Sequence, residues 1–480
     1  MPNRVTRTAR ALLLASLACG IALCATGVAA GAEDAGFIDM REQLAQVQAQ
    51  LQQLAQENRS LREHQQQIER QLAQLTGAAA ARSPAMPASA DSSALPTPST
   101  PSTLSGSPLA SGLRLWGYGE MYYTHPTRDG NNAQADLARA VFGLGYSFDE
   151  RTEFNSEYEV EHAVASASDV GEFEVEQFYV DRRLSEAVSA RGGLLLMPFG
   201  LLNEHHEPTR FYGVQRNFVE TLIIPSTWRE GGFNLHGDTR AGFGWNLGLT
   251  TGFDVSKWDF APAFPPYASA LGLANSGAAP LQATHQELAL ANAHHLSQYA
   301  ALSYYGIPAL LLGGAISTGE SPAPGDPRVT LWEAHMRWTP AKLDLSALYA
   351  RGSISNAGPL NAAHPNSPNP LPSSFYGYFL QGAYRLWEQG DYRATPFVRW
   401  ERYDLGASYA GTSGPVIPAG LVPLSGTPGD LGFWPRSEDR VWTAGANFYL
   451  GAHLVLKGDY QWFRLNQGFG RFDLGLGVSF

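Results

Sequence analysis

The last eleven residues, Gly470 to Phe480, limit the fold more than any other stretch. Phe472, Leu474, Leu476, Val478 and Phe480 share one parity, and Arg471, Asp473, Gly475, Gly477 and Ser479 share the other. Side chains of a strand alternate faces, so this strand has one oily face and one wet face. Five large apolar groups on one side of a terminal strand suit a wall with lipid outside and a polar lumen inside. Charged residues are only 16% of the chain, aromatic residues reach 11%, and 50 glycines are present. That balance fits a lipid-facing β-surface with aromatic girdles. Beyond the N-terminus no apolar run approaches the ~18 residues of a membrane helix. A membrane protein of this composition must therefore satisfy its backbone in closed β-structure.

Three segments precede that structure. Residues 1–30 carry Arg4, Arg7 and Arg10, then the apolar stretch Ala11–Leu23, then small residues at Val28-Ala29-Ala30. This is the pattern of a secretory signal peptide. Both cysteines, Cys19 and Cys24, fall inside it, so thiol chemistry and disulfides are not expected in the mature protein. Residues 37–76 repeat in sevens. Phe37, Leu44, Leu51, Asn58, Gln65 and Leu72 take position a, and Met40, Val47, Leu54, Leu61, Ile68 and Leu75 take position d. The reading is an α-helical coiled coil, with Asn58 and Gln65 fixing its register. Its seam needs partners, and identical helices of neighbouring subunits are the economical source. Residues 77–112 are rich in Ala, Pro, Ser and Thr and read as a disordered linker.

From 113 to 480 the texture becomes short alternating segments. Strands are predicted at 113–124, 136–148, 152–163, 172–184, 188–197, 230–239, 243–255, 296–305, 308–319, 329–338, 341–352, 373–386, 392–405, 438–450, 453–465 and 469–480. Short connections near 149–151, 306–307, 339–340 and 451–452 alternate with long ones at 198–229, 256–295, 353–372 and 406–437. The expected fold is all-β, a 16-stranded antiparallel transmembrane β-barrel.

Parity then selects the lumen. Arg114, Glu120, Arg139, Arg191, His236, Asp238, Glu333, His335, Arg337, Asp344, Arg399, Glu401, Lys457, Asp459, Arg471 and Asp473 point inward, because charge on the lipid face is costly. Interior charges of both signs suit a water-filled, conducting lumen; the alternative is a plugged interior of structural ion pairs. Glu153, Glu157, Glu159, Glu161, Glu172, Glu174 and Glu176 are expected together at the outer end of one hairpin, either as an acidic mouth that attracts cations or bridges metal to lipopolysaccharide, or as a merely solvated acidic rim. The connection 198–229 is half apolar, which a solvated loop should not be. It is expected to fold into the barrel and narrow it, with Asn203, Glu204, His205, His206, Glu207, Arg210, Arg216, Glu220, Arg229 and Glu230 available to line the eyelet. Glu204-His205-His206-Glu207 could suggest a metal site. Adjacent residues do not converge easily on one ion, however, and no helical His-Glu-x-x-His spacing is present. No metal or cofactor is expected.

Arg191 to Gly200, with Asn203-Glu204 and Ile224 to Gly231, resembles the phosphate-selective porin O/P family. The resemblance spans about 113–480 and is sharpest at 191–231. It implies a sixteen-stranded, usually trimeric channel in the outer membrane of a Gram-negative bacterium, with the coiled coil in the periplasm. Members named for phosphate have an Arg-rich eyelet, whereas the inward positions here are mixed and the net charge is −11. The leading expectation is therefore passive diffusion of small hydrophilic solutes or ions, and a phosphate- or anion-selective channel is the alternative. A structural protein whose coiled coil contacts periplasmic partners is a reading of another class. An enzyme is not expected: no Gly-x-Ser-x-Gly elbow occurs, and Glu333 beside His335 is an isolated pair. The expected partners are outer-membrane lipid, lipopolysaccharide, small solutes and further copies of the chain, a trimer being favoured, with no nucleic acid.

Overall fold

The computed structural model describes residues 112–128, 130–162, 171–262, 278–416 and 436–480. The signal peptide, the coiled coil and the linker up to residue 111 lie outside the described residues. The strands are β1 (Leu113–Pro126), β2 (Gln134–Asp149), β3 (Thr152–Glu161), β4 (Phe173–Arg183), β5 (Ser189–Leu196), β6 (Arg229–Asp238), β7 (Phe243–Thr250) and β8 (Ser297–Ile307). They continue with β9 (Leu310–Glu320), β10 (Arg328–Trp338), β11 (Leu343–Ile354), β12 (Pro372–Tyr384), β13 (Tyr392–Tyr409), β14 (Glu438–Leu450), β15 (Leu454–Phe463) and β16 (Arg471–Ser479). Trp387–Gln389 extends β12 along β13 after a two-residue break. Each strand pairs antiparallel with the next, and β1 pairs with β16. The sheet is a closed 16-strand antiparallel barrel.

Closure leaves no sheet edge, so every strand finds hydrogen-bond partners on both sides. The alternation read from the sequence is the one that builds the wall. On β16 the outward Phe472, Leu474 and Leu476 are exposed, while the inward Arg471 and Asp473 are buried. Leu137, Leu235, Leu247, Leu302, Leu312, Leu380, Val398 and Leu456 continue the outer apolar band. Aromatic side chains rim it at both ends. Tyr146, Phe148, Phe243, Trp338, Tyr384, Trp387 and Tyr392 stand near the short turns, and Tyr123, Phe173, Trp332, Trp442 and Trp462 toward the long loops. Trp442 and Trp462 are directly opposite each other on β14 and β15.

Several strand boundaries differ from expectation by two residues or more, among them three with a visible local setting. β7 ends at Thr250 rather than 255, because Asp254 turns the chain inward and caps a short turn through its bond from the Ser256 amide. β8 runs on to Ile307, and the turn sits at Pro308-Ala309 with Ala309 in the left-handed region. β13 continues to Tyr409.

The acidic hairpin is also arranged differently. Glu153 lies at the short-turn end of β3, opposite Asp181, and so is far from the loops. Glu157, Glu159 and Glu176 are buried inside the barrel. A register shift between Glu157 and Tyr158 accommodates an extra residue on β4. Such a bulge re-aims side chains. Here it turns both Glu176 and Gln177 inward, where Glu176 meets Tyr118 and Gln177 meets Glu157.

Candidate functional site: the inward loop and the lumen

The connection from β5 to β6 enters the barrel and fills much of it. Its two roots are stapled by Asn203. The Asn203 side-chain amide donates to the carbonyls of Met197 (2.7 Å) and Trp228 (2.8 Å), and its oxygen accepts from the Trp228 amide (2.6 Å). Gly200 stands at φ +71°, where a side chain would also strike the Glu220 carboxylate. That carboxylate accepts from the amides of Leu201 and Leu202 and from the Asn217 side chain. A buried carboxylate with several donors is satisfied and holds one geometry.

The apolar half of the loop supplies the adhesion. Phe218, Val219, Leu222, Ile223, Ile224 and Trp228 are all buried, in one cluster with Phe375, Phe379, Tyr403, Leu405 and Phe463 from the wall. Each such burial is worth about 1.5–3 kcal/mol before entropy. The middle of the loop reaches the opposite wall by polar contacts. Tyr212 donates to Asp344 (3.0 Å), the Val214 amide to Asp459 (2.6 Å), the Gly213 amide to Asn447 (3.2 Å) and the Phe218 amide to Glu401 (2.6 Å). Glycine on β16 permits this approach: a Cβ at Gly477 would lie 2.6 Å from Pro208. Lys457 stacks its ammonium 3.4 Å from the Phe211 ring centre.

These contacts sort the inward residues into covered and open sets. Arg399 and Glu401 pair at 2.9 Å but lie beneath the loop, with Arg399 donating to the carbonyls of Tyr212 and Gln215. Asn203, Arg229 and Glu230 are likewise buried anchors, not residues facing open lumen. Arg229 holds Glu174 and Glu287, and Glu230 accepts from Thr251 and Trp228. Arg216 is tied to Ser226 and Thr227 of its own loop. Glu333 is buried and pairs with the more open His335 at 2.9 Å.

The open set lies elsewhere. Glu204 and His205 are exposed at the start of the loop, and Glu207 and Arg210 are partly exposed. Arg191 on β5 donates to Asp181 (2.9 Å) and stacks over Tyr179, and His236 on β6 meets the same Asp181 (2.8 Å). Arg337 on β10 holds Asp344 through two bonds, at 3.0 and 2.6 Å, and keeps 41% of its side chain exposed. Glu204 lies within electrostatic reach of Arg191 and Tyr299.

One buried group came from neither set. His206 reaches from the loop to the β1–β4 wall, where Tyr118 is 2.6 Å and Glu176 3.5 Å from its Nε2. Its Nδ1 faces the Asn203 carbonyl at 2.9 Å. Burial, with Arg216 and Arg139 close by, holds the imidazole down to about 3, so it is neutral at pH 7. The sequence offered His206 only within its run of four polar residues. Its partners, Glu157 and Glu176, come from other strands.

No protein-family model matches the chain. An uncharacterized protein of Aquifex aeolicus (strain VF5) is 28% identical over 362 residues, covering 73% of this chain and 75% of that one. Among solved structures, the Salmonella typhi OmpF complex with daunomycin aligns with a TM-score of 0.50 and 10% identity, over 77% of this chain and 97% of that one. The outer membrane channel DcaP of Acinetobacter baumannii aligns with a TM-score of 0.45 and 12% identity, over 77% and 98%. The OmpF likeness shows the fold alone, the closed sixteen-strand antiparallel barrel.

Proposed function

We propose that this chain is an outer-membrane channel through which small hydrophilic solutes or ions diffuse passively, with no catalytic turnover and no cofactor. One observation carries the reading: a half-apolar loop folds into a closed barrel and narrows it, packing against β8 to β13 while charged groups such as Glu204, His205 and Arg337 stay open to solvent. The path then runs between the first turn of the loop and the β5–β10 wall. Arg191, Glu204, His205, Glu207, Arg210, His236, His335 and Arg337 border it. Arg399, Glu401, Asn203, Arg229 and Glu230 serve the channel by holding the loop in place.

The same geometry bears on selectivity. Arg191 and Arg337 already bind Asp181 and Asp344, so neither offers an uncompensated charge to an anion. Weak selectivity is the reading this supports. A phosphate- or anion-selective channel, as the resemblance to the porin O/P family would have it, is the alternative. In either case the channel would work as a homo-oligomer, a trimer being favoured, joined through barrel contacts and the coiled coil at 37–76. Lipopolysaccharide would surround its outer leaflet. A structural role for the coiled coil toward periplasmic partners is compatible with conduction. Liposome swelling with a graded series of sugars tests the proposal. Uptake that falls steeply with solute size supports a narrowed diffusion path. No uptake of any sugar or ion by heat-modifiable, folded protein would refute it.

A further inference from the structure

Glu157 from β3, Glu176 from β4 and His206 from the inward loop each bring one ligand atom within 4.8 Å of the others, and all three are buried. Glu176 is fully buried, and its Oε1 has no hydrogen-bond partner. A buried carboxylate oxygen without a donor is unstable unless something neutralises it. The atom is 3.5 Å from His206 Nε2. The Nδ1 of that imidazole is engaged by the Asn203 carbonyl at 2.9 Å. That bond makes Nε2 the acceptor; its nearest partner is the Tyr118 hydroxyl at 2.6 Å, which a cation bound at Nε2 would displace. A backbone carbonyl on the far nitrogen is the usual support of a metal-bound histidine.

The surroundings orient the other two groups in the same way. Glu157 accepts from Trp116 Nε1 at 2.8 Å and from Gln177. The Tyr118 hydroxyl lies 3.1 Å from the other oxygen of Glu176. The bulge on β4 exists at the place that turns Glu176 inward beside Gln177. Charge gives a second argument. Arg139 is bound to Glu120 at 2.8 Å, and Arg139 and Arg216 both lie near Glu159. Among the described residues, neither Glu157 nor Glu176 forms an ion pair with an arginine or lysine. Arg139 and Arg229 act on Glu176 only at longer range, and a cation between Glu157 and Glu176 would compensate both carboxylates directly.

We propose that Glu157, Glu176 and His206 form a binding site for a divalent cation of the zinc type, which cross-links the inward loop to the β3–β4 wall. One imidazole with two carboxylates favours zinc-like ions over calcium or magnesium, which take oxygen ligands alone. Metal–ligand bonds of about 2.0–2.2 Å require the three groups to draw closer than they stand here. Arg139 on β2 holds the His206 carbonyl, so the approach falls to the carboxylate side chains of Glu157 and Glu176. The site is independent of what the channel conducts.

The test uses the untagged full-length protein in detergent, stripped with EDTA and titrated with zinc chloride by calorimetry. One zinc per chain is expected, with binding weakened at least tenfold (about 1.4 kcal/mol or more) in both Glu157→Gln and Glu176→Gln. Heat-modifiable migration on gels reports that each variant is folded. X-ray absorption on the wild-type zinc form is expected to show a single imidazole among oxygen ligands. Absence of stoichiometric zinc binding would overturn the proposal. So would binding that both substitutions leave unchanged, or a two-imidazole shell, which would assign the ion to the adjacent surface pair His294 and His295.

Discussion

Asn203 shows how much of the lumen depends on single side chains. Replacing it with alanine leaves the buried Trp228 amide without its acceptor and removes one of the two donors from each of the Met197 and Trp228 carbonyls. Such an unsatisfied group costs about 1–3 kcal/mol, so Asn203→Ala is expected to free the loop without unfolding the barrel. Limited trypsin digestion reads this directly. Cleavage after Arg210 or Arg216 should appear in the variant and be absent from wild type, while the barrel keeps its heat-modifiable migration. Gly477 acts by absence of a side chain. Gly477→Val drives bulk into Pro208, which cannot give way. The loop should lift from β16, and unit conductance in planar bilayers should rise; an unchanged conductance would mean that the loop does not limit flow.

At the scale of elements, the strands were the legible part. Period-two alternation is local, and a register slip would reverse every face, so the pattern had to match the structure to within a few residues. The inward fold of residues 198–229 was legible for a related reason: Phe218, Val219, Leu222, Ile223 and Ile224 have no place in solvent. What parity could not separate was open lumen from covered lumen. Arg399 and Arg337 have the same strand parity and the same charge. Only the path of a distant loop buries the first and leaves the second exposed. The bulge at Glu176 was equally hidden, because one extra residue changes a face without changing composition. The element-scale prediction concerns that loop. Replacing residues 201–226 with a short Gly-Ser link should raise conductance several-fold and widen the size range of sugars that pass. The barrel should still form, since no strand pairing is touched.

For the whole molecule, the two faces of one wall set opposite tolerances. Leu476 faces lipid near the middle of β16, whereas Asp473 lies inside. Leu476→Arg should cost about 2–4 kcal/mol of stability at the bilayer midplane, measured by denaturant unfolding from lipid vesicles. A cost near zero would mean that this face meets protein or water rather than lipid. The central claim is that a water-filled path follows the β5–β10 side of the lumen while the β13–β16 side is sealed by the loop. Both native cysteines lie within the first 30 residues, so single cysteines can report on the barrel. The decisive measurement is planar-bilayer conductance of Glu204→Cys and Asp459→Cys before and after a charged, water-soluble thiol reagent. Stable steps that shrink on modification of Cys at 204 and are unaffected at 459 are expected. Steps that shrink at 459 but not at 204, or no steps at all from folded protein, would contradict the path.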